Sequence, residues 1–374
     1  MHRHLVWLLL LGFPLAGCGG TTASQSDDDQ PRLASGSALP SGCAKQHVRA
    51  ADTVTFVAAG RAWALGSRAS QPLCLFRLAP TRPPVWGPRG DRALLAHLEV
   101  KSVGGGPPQR PPSATDPTAA SWGRPIGKSI VFVGRNGHAL LKAHPSGGGF
   151  LDITPVHRAA YKLVAYHPSG LAIAFVLERG GHESIWISSN VGTKPHKLVH
   201  GRLHTGFEAI AFGNHGNSIY FAAKHRDAHV DVHSLALVGA DYAPVLWHGQ
   251  PGVHVSDLIP LDPERAMTRL ALTAGRSCQD DRALIVSYGH PSGVEALPKA
   301  RPTHAVGWID GTQRADLLVA AGGCGRPLDL YAVDSVSLKA KLLVRNVEAA
   351  ATRLPEPFPP PKLPRDLGAR SSFA

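Results

Sequence analysis

The sequence predicts an all-β fold assembled from repeats, and three observations carry that expectation. Glycine (40) and proline (32) punctuate the 374 residues densely. This leaves little room for long helices and argues against helical bundles, coiled coils and multi-span membrane proteins. The apolar share is 43% against 18% charged residues, enough for a core and too apolar for wholesale disorder. Finally, one unit recurs through the middle of the chain: an apolar strand ending in an aromatic, a Gly/Pro/Asn turn, then an alternating strand.

The clearest copy is Tyr166-His-Pro-Ser-Gly-Leu-Ala-Ile-Ala-Phe175, followed by Ser184-Ile-Trp-Ile187. A second is Phe212-Gly-Asn-His-Gly-Asn-Ser-Ile-Tyr-Phe221, and an earlier one is Trp86-Gly-Pro-Arg-Gly-Asp-Arg-Ala-Leu-Leu95. Weaker copies begin at Trp122, near Leu258 and at Trp308, so successive intervals are 36, 44, 46, 46 and 50 residues. A four-stranded blade needs about this length. The pattern resembles the TolB-type β-propeller repeat, whose core reads roughly Trp-Ser-Pro-Asp-Gly. The residues that carry the resemblance are Trp86, Gly90, Trp122, Tyr166, Pro168, Gly170, Phe212, Gly216 and Trp308, and it spans roughly residues 50–350. The family's Asp-Gly is here Arg89-Gly90, Ser169-Gly170 and His215-Gly216. The glycine persists because the tight turn needs a positive φ. The aspartate, which supports the turn through side-chain hydrogen bonds, is replaced.

Counting strands extends this expectation to a single seven-bladed propeller, with six blades as the alternative. Three strands, Val54–Ala58, Arg61–Leu65 and Leu73–Leu78, precede the first motif and lack an inner strand of their own. Val347-Glu-Ala-Ala-Ala-Thr352 parallels Phe207-Glu-Ala-Ile-Ala-Phe212 and can supply it. Pairing the two chain ends would close the ring and remove exposed edges. The set at 91–121 is the poorest, because its Gly and Pro run reads as loop.

The termini read as address and tether. Arg3 opens a short basic region, Leu5 to Phe13 is an apolar run too short to span a bilayer, and Leu15-Ala16-Gly17-Cys18 follows,. This resembles the lipobox of bacterial lipoproteins. It implies a signal peptide at 1–17 and acylation of Cys18, which anchors the chain in membrane lipid without a transmembrane helix. Residues 18–46 are small and polar, a flexible tether. The propeller is expected over 47–354, and a Pro-rich tail over 355–374. Extracytoplasmic localisation follows, on the cell membrane or, in a cell with two membranes, the outer one.

In that compartment disulfides are expected for Cys43, Cys74, Cys278 and Cys324. Cys278 and Cys324 follow Leu-Ala-Leu-Thr-Ala-Gly and Leu-Leu-Val-Ala-Ala-Gly in neighbouring repeats. Adjacent blades would bring them together, leaving Cys43 for Cys74. No pair has CxxC spacing, so zinc or redox cysteine chemistry is not indicated.

The net charge of +12 is local: residues 46–150 carry +9, and residues 151–344 only +1. Scattered arginines in a loop-rich region explain it. The alternative is a basic face toward lipid or a partner. Nucleic-acid binding is not expected, since no recognition module accompanies the charge. No Gly-x-Ser-x-Gly elbow, HExxH, Walker A, GxGxxG or EF-hand pattern occurs. The best metal candidate is His225-Arg-Asp227-Ala-His229-Val-Asp231-Val-His233, where a strand would place His229, Asp231 and His233 on one face,. Same-face residues stand about 7 Å apart along a strand, long for a compact coordination shell. The segment is therefore read as a solvated strand face. His196, His200 and His204 are read as strand, then loop. Catalytic residues, cofactor and metal are all assigned as none. The expected function is a monomeric, non-enzymatic binding platform for an envelope protein or polymer. The alternative is a small-ligand sensor or enzyme using the central channel.

Overall fold

The computed structural model describes residues 53–66, 72–77, 85–86, 92–94, 100–102, 120–122, 129–144, 150–200, 204–213, 215–237, 243–261, 269–287, 290–300, 302–309 and 316–352. Cys18, Cys43, Gly90 and most of the basic region 46–150 lie outside them, as do the signal, tether and tail. Among the described residues no helix is long and apolar enough to cross a membrane.

The strands, in chain order, are β1 (Thr53–Ala58), β2 (Arg61–Gly66), β3 (Leu73–Arg77), β4 (Val85–Trp86), β5 (Arg92–Leu94), β6 (Val100–Ser102), β7 (Ala120–Trp122), β8 (Ile130–Gly134), β9 (Ala139–Ala143) and β10 (Phe150–Asp152). Four complete sets follow: β11 (Ala160–Tyr166) to β14 (His196–Val199) through β12 (Ala172–Arg179) and β13 (His182–Ser189); then β15 (Gly206–Phe212), β16 (Ser218–Lys224), β17 (Val230–Ala236) and β18 (Val245–His248). After these come β19 (His254–Leu261), β20 (Arg269–Gly275), β21 (Arg282–Ser287) and β22 (His290–Glu295), then β23 (Thr303–Ile309), β24 (Asp316–Ala321), β25 (Leu328–Asp334) and β26 (Ala340–Val347). A last strand, β27 (Ala349–Thr352), returns to β1.

These strands make seven antiparallel sheets, six of four strands and one, β4-β5-β6, of three. The inner strands touch in one cycle: β27, β4, β7, β11, β15, β19, β23 and back to β27. The protein is thus a seven-bladed β-propeller, closed as expected by the C-terminal strand. Val54 pairs with Thr352 and Val57 with Ala349, and Glu348 N donates to Val57 O at 2.8 Å. Strands within a blade are named a to d from the ring outward. Antiparallel pairing puts the b–c turns and d–a connections at one face, and the a–b and c–d turns at the other.

The motif aromatics mark the ends of inner strands: Trp86 ends β4, Trp122 ends β7, Tyr166 ends β11 and Phe212 ends β15. Trp308 occupies the equivalent end of β23 and ties blade 7 to blade 6 through its Nε1–H, which donates to Ile259 O at 2.8 Å. Gly170 and Gly216 follow at φ 72° and 70°, the left-handed geometry the turn requires,. Ser169 takes over the work of the missing aspartate, its Oγ accepting from Leu171 N at 3.2 Å,.

The core lies between blades. One apolar cluster joins Ile187 and Val199 of blade 4 to Phe207, Phe212 and Phe221 of blade 5. Another joins Phe56 and Trp63 of blade 1 to Leu318 and Leu330 of blade 7, sealing the closure. A bulge recurs at one position in the inner strands of blades 4 to 7, between Tyr161/Leu163, Phe207/Ala209, Val255/Asp257 and Ala305/Gly307. Near it, carboxylates latch successive blades: Glu183 accepts from Phe207 N, and Glu208 from Val255 N, both at 2.7 Å. Cys278 and Cys324 are disulfide-bonded with Cα atoms 5.8 Å apart. They join the b–c turns of blades 6 and 7. Cys74, on β3, is also disulfide-bonded.

Candidate functional site

The densest group of chemically versatile side chains sits where blades 4 and 5 meet, at the b–c face. It begins with the period-2 pattern of β17. Val230 and Val232 are fully buried against the blade 5–6 core. Asp231 and His233 must therefore face blade 4. Asp231 is a carboxylate only 5% exposed. His233 lies opposite Phe221 on β16, and the two rings stack with centroids 5.1 Å apart.

The b–c turn delivers the next group. His225 N donates to His229 O at 2.9 Å, with Ala228 at φ 66°. The tight return stacks the His225 and His229 rings, centroids 4.2 Å apart and 8° from parallel. His204 arrives on the d–a connection just before β15. Its ring centre lies 4.8 Å from that of His225 and 5.9 Å from that of His233. One donor atom each from His225, Asp231 and His233 come within 4.8 Å of one another.

Hydrogen bonds set the orientation of these groups. His233 Nδ1 lies 3.2 Å from Ala243 O, so it carries the proton and leaves the Nε2 lone pair free,. Asp231 Oδ1 is held by His248 Nδ1 at 3.1 Å. Its other oxygen, Oδ2, lies 3.2 Å from His225 Nε2 and 3.4 Å from His229 Nε2. The His225 contact is close but poorly aligned. His225 Nε2 is thus buried without a hydrogen bond, as are His204 Nδ1 and His233 Nε2. Burial, reinforced by the neighbouring imidazoles, drives His204 down to about 4, although Asp231 opposes the shift. Burial also lowers His233, against the pull of the Ala243 carbonyl and of Asp231. Both rings are therefore neutral at neutral pH and present lone pairs.

The sequence pointed to this segment with a different set of residues. Asp231 and His233 do share a face, but His225, across the turn, takes the place expected of His229. His229 instead stacks outside it and contacts Asp227. The 7 Å spacing argument holds for backbones, whereas side chains reaching from a turn and from a strand converge. His204 joins from the second histidine segment. His196 lies on β14 and His200 just beyond it, the strand-then-loop course expected. The missed signal was the hairpin register, which folds the residue after β16 back over β17.

The opposite end of the same interface holds another buried histidine. His167, fully enclosed, has Nε2 2.7 Å from Gly216 O and accepts from Ser169 N at Nδ1 over 3.0 Å. Its ring meets Phe212 edge-on at 5.0 Å. A motif residue of blade 4 thus docks on a motif residue of blade 5. Burial lowers its pKa despite the Gly216 carbonyl.

No protein-family profile and no curated protein sequence matches the chain. Solved structures match its fold. A prolyl endopeptidase is similar with a TM-score of 0.54 at 11% identity, over 80% of this chain and 51% of that one. The tricorn protease gives 0.54 at 12%, over 79% and 33%. TolB from Acinetobacter baumannii gives 0.46 at 14%, over 85% and 89%. The chain therefore spans about half the length of the first of these and a third of the second. These identities speak to the propeller fold alone.

Proposed function

We propose that this chain is an extracytoplasmic lipoprotein, held in the membrane through acylated Cys18, whose propeller acts as a monomeric binding platform for an envelope protein or polymer. One surface carries the reading. Six large apolar side chains are exposed among the described residues, and four of them, Phe150, Leu151, Leu171 and Val191, come from the boundary of blades 3 and 4. The a–b and c–d turns of blade 4 are tied together there, with Asn190 N donating to Leu171 O at 2.9 Å. Gly192 packs so tightly on Ile153, just past β10, that a Cβ would lie 2.0 Å from its carbonyl oxygen. Clustered exposed apolar groups on a soluble fold mark interaction sites.

The lipobox sequence supports the anchor, and the Cys278–Cys324 disulfide fits an oxidising compartment,. Two of the similar structures are named as peptidases. The chain lacks the Gly-x-Ser-x-Gly elbow of a serine hydrolase, and most of its histidine cluster rests on β17 and the turn before it rather than on an inner strand. The test is crosslinked capture from membranes with the wild type and with a Leu151→Asp/Leu171→Asp variant. A partner retained by the wild type and lost by the variant supports the reading. Equal capture by both, or capture by neither, overturns it. Cys18→Ala should move the chain from the membrane to the soluble fraction.

A further inference from the structure

We propose that the b–c end of the blade 4–5 junction is a binding site for a divalent transition-metal ion of the zinc class, with His225, Asp231 and His233 as ligands and His204 as the fourth donor. Buried polar groups in folded proteins are nearly always hydrogen-bonded. Here three buried imidazole nitrogens make no hydrogen bond, and two of them, on His225 and His233, converge on one carboxylate. Among the described residues, the ion-pair partners of Asp231 are all histidines: His225, His229 and His248. A buried carboxylate with no lysine or arginine beside it lacks a permanent countercharge. A dication supplies that charge and engages the free nitrogens at the same time.

The donor chemistry selects the ion. Neutral imidazoles with one carboxylate suit zinc and its neighbours, whereas calcium and magnesium prefer oxygen shells. The surrounding bonds are those that orient ligands at metal sites. Ala243 O takes the Nδ1 proton of His233 and so aims Nε2 inward. His248 holds Asp231 Oδ1 and leaves Oδ2 to the cluster,. Four protein ligands would make a closed site, the arrangement of structural rather than catalytic zinc. The ion would fasten the d–a connection entering blade 5 to that blade's own b–c turn. The Cys278–Cys324 disulfide fastens b–c turns in blades 6 and 7 at the same face.

The experiment is calorimetric titration of ZnCl2 into the full chain, in detergent, without an affinity histidine tag and stripped with chelator. The expected result is one saturable equivalent. His233→Gln and Asp231→Asn should each weaken it by at least about tenfold, while His157→Gln, an exposed histidine on the connection from blade 3 to blade 4, leaves it unchanged. Cobalt(II) provides a readout on the unaltered protein, the intense visible absorption of a tetrahedral site. Absence of saturable heat, a single site that survives both ligand variants, or only the weak spectrum of an octahedral ion would each overturn the proposal. The first of these outcomes would mean that water satisfies the cluster. All of these readouts are independent of the blade 3–4 surface.

Discussion

At the a–b end of the interface between blades 4 and 5, His167 is enclosed and both of its ring nitrogens are engaged. At the b–c end of the same interface, His204, His225 and His233 are half-buried, and each keeps one buried ring nitrogen with no hydrogen bond. The same apolar cluster separates the two, with Phe212 beneath one end and Phe207 and Phe221 beneath the other. His167 is also the more deeply buried, but depth is not the whole difference. The rest lies in what the local backbone offers. The motif turn places a backbone N–H on one side of His167 and the Gly216 carbonyl on the other, so a neutral ring completes a structural joint. The b–c turn of blade 5 offers the cluster one another and a carboxylate. A satisfied buried histidine is packing, whereas buried ring nitrogens without a partner call for a further explanation.

The largest expected effect tests that division directly. His167→Ala removes the ring from Phe212 and orphans both the Gly216 carbonyl and the Ser169 N–H. It should cost about 3 kcal/mol, as ring deletions with stranded polar partners do. His225→Ala in chelator-stripped protein removes a half-buried ring whose one polar contact is with Asp231, which His248 still holds, and should stay within about 1 kcal/mol of wild type,. Urea unfolding of both variants measures this. Equal costs would erase the distinction between the ends.

Gly216 sharpens the same joint from its other side. It sits at φ 70°, and a Cβ there would lie 2.5 Å from the His167 ring. Gly216→Ala should therefore cost about 2 kcal/mol, part from the left-handed backbone and part from the clash. In the Gly216→Ala/His167→Ala double variant the clash component disappears, so the two costs should sum to more than the double variant loses. Strict additivity in the denaturation cycle would show that the two residues do not bear on each other.

How far these features were legible in the sequence follows from their range. Strand ends and turn glycines are local, and Tyr166, Gly170, Phe212 and Gly216 announced them. The closure by 349–352 was readable because residues 347–352 copy the β15 segment, Val347-Glu-Ala against Phe207-Glu-Ala. The Cys278–Cys324 pairing was readable because both cysteines occupy one repeat position. The recurrent bulge left no mark, since Lys162, Glu208, Ser256 and Val306 share no chemistry. The cluster was half legible for the same reason. Asp231 and His233 share a strand face by periodicity, but His225 enters through a turn and His204 through a connection from the preceding blade. The docking of His167 on Gly216 was hidden too: a ring two residues before a turn serine, set against the next repeat's glycine, is a contact between blades that no local pattern encodes.

The smallest effect separates the two ends by protons. Burial holds His167 neutral, with its folded pKa below the unfolded value near 6.5,. A histidine of this kind contributes stability that is complete above about pH 6.5. Below it the unfolded chain takes up a proton that the folded one refuses, so stability falls as pH drops toward the folded pKa. Protonation would also turn Nδ1 into a donor facing the Ser169 N–H, which already donates to it. In chelator-stripped protein, urea midpoints measured from pH 7.5 to 5.5 should fall less steeply for His167→Ala than for wild type. The difference in slope is bounded by one proton, about 1.4 kcal/mol per pH unit. The histidines of the b–c cluster remain in both proteins and cancel from the comparison, so the residual belongs to His167. Superimposable slopes would mean that the motif joint tolerates a charged ring, and that the enclosed end is no more committed to neutrality than the exposed histidines elsewhere on the chain.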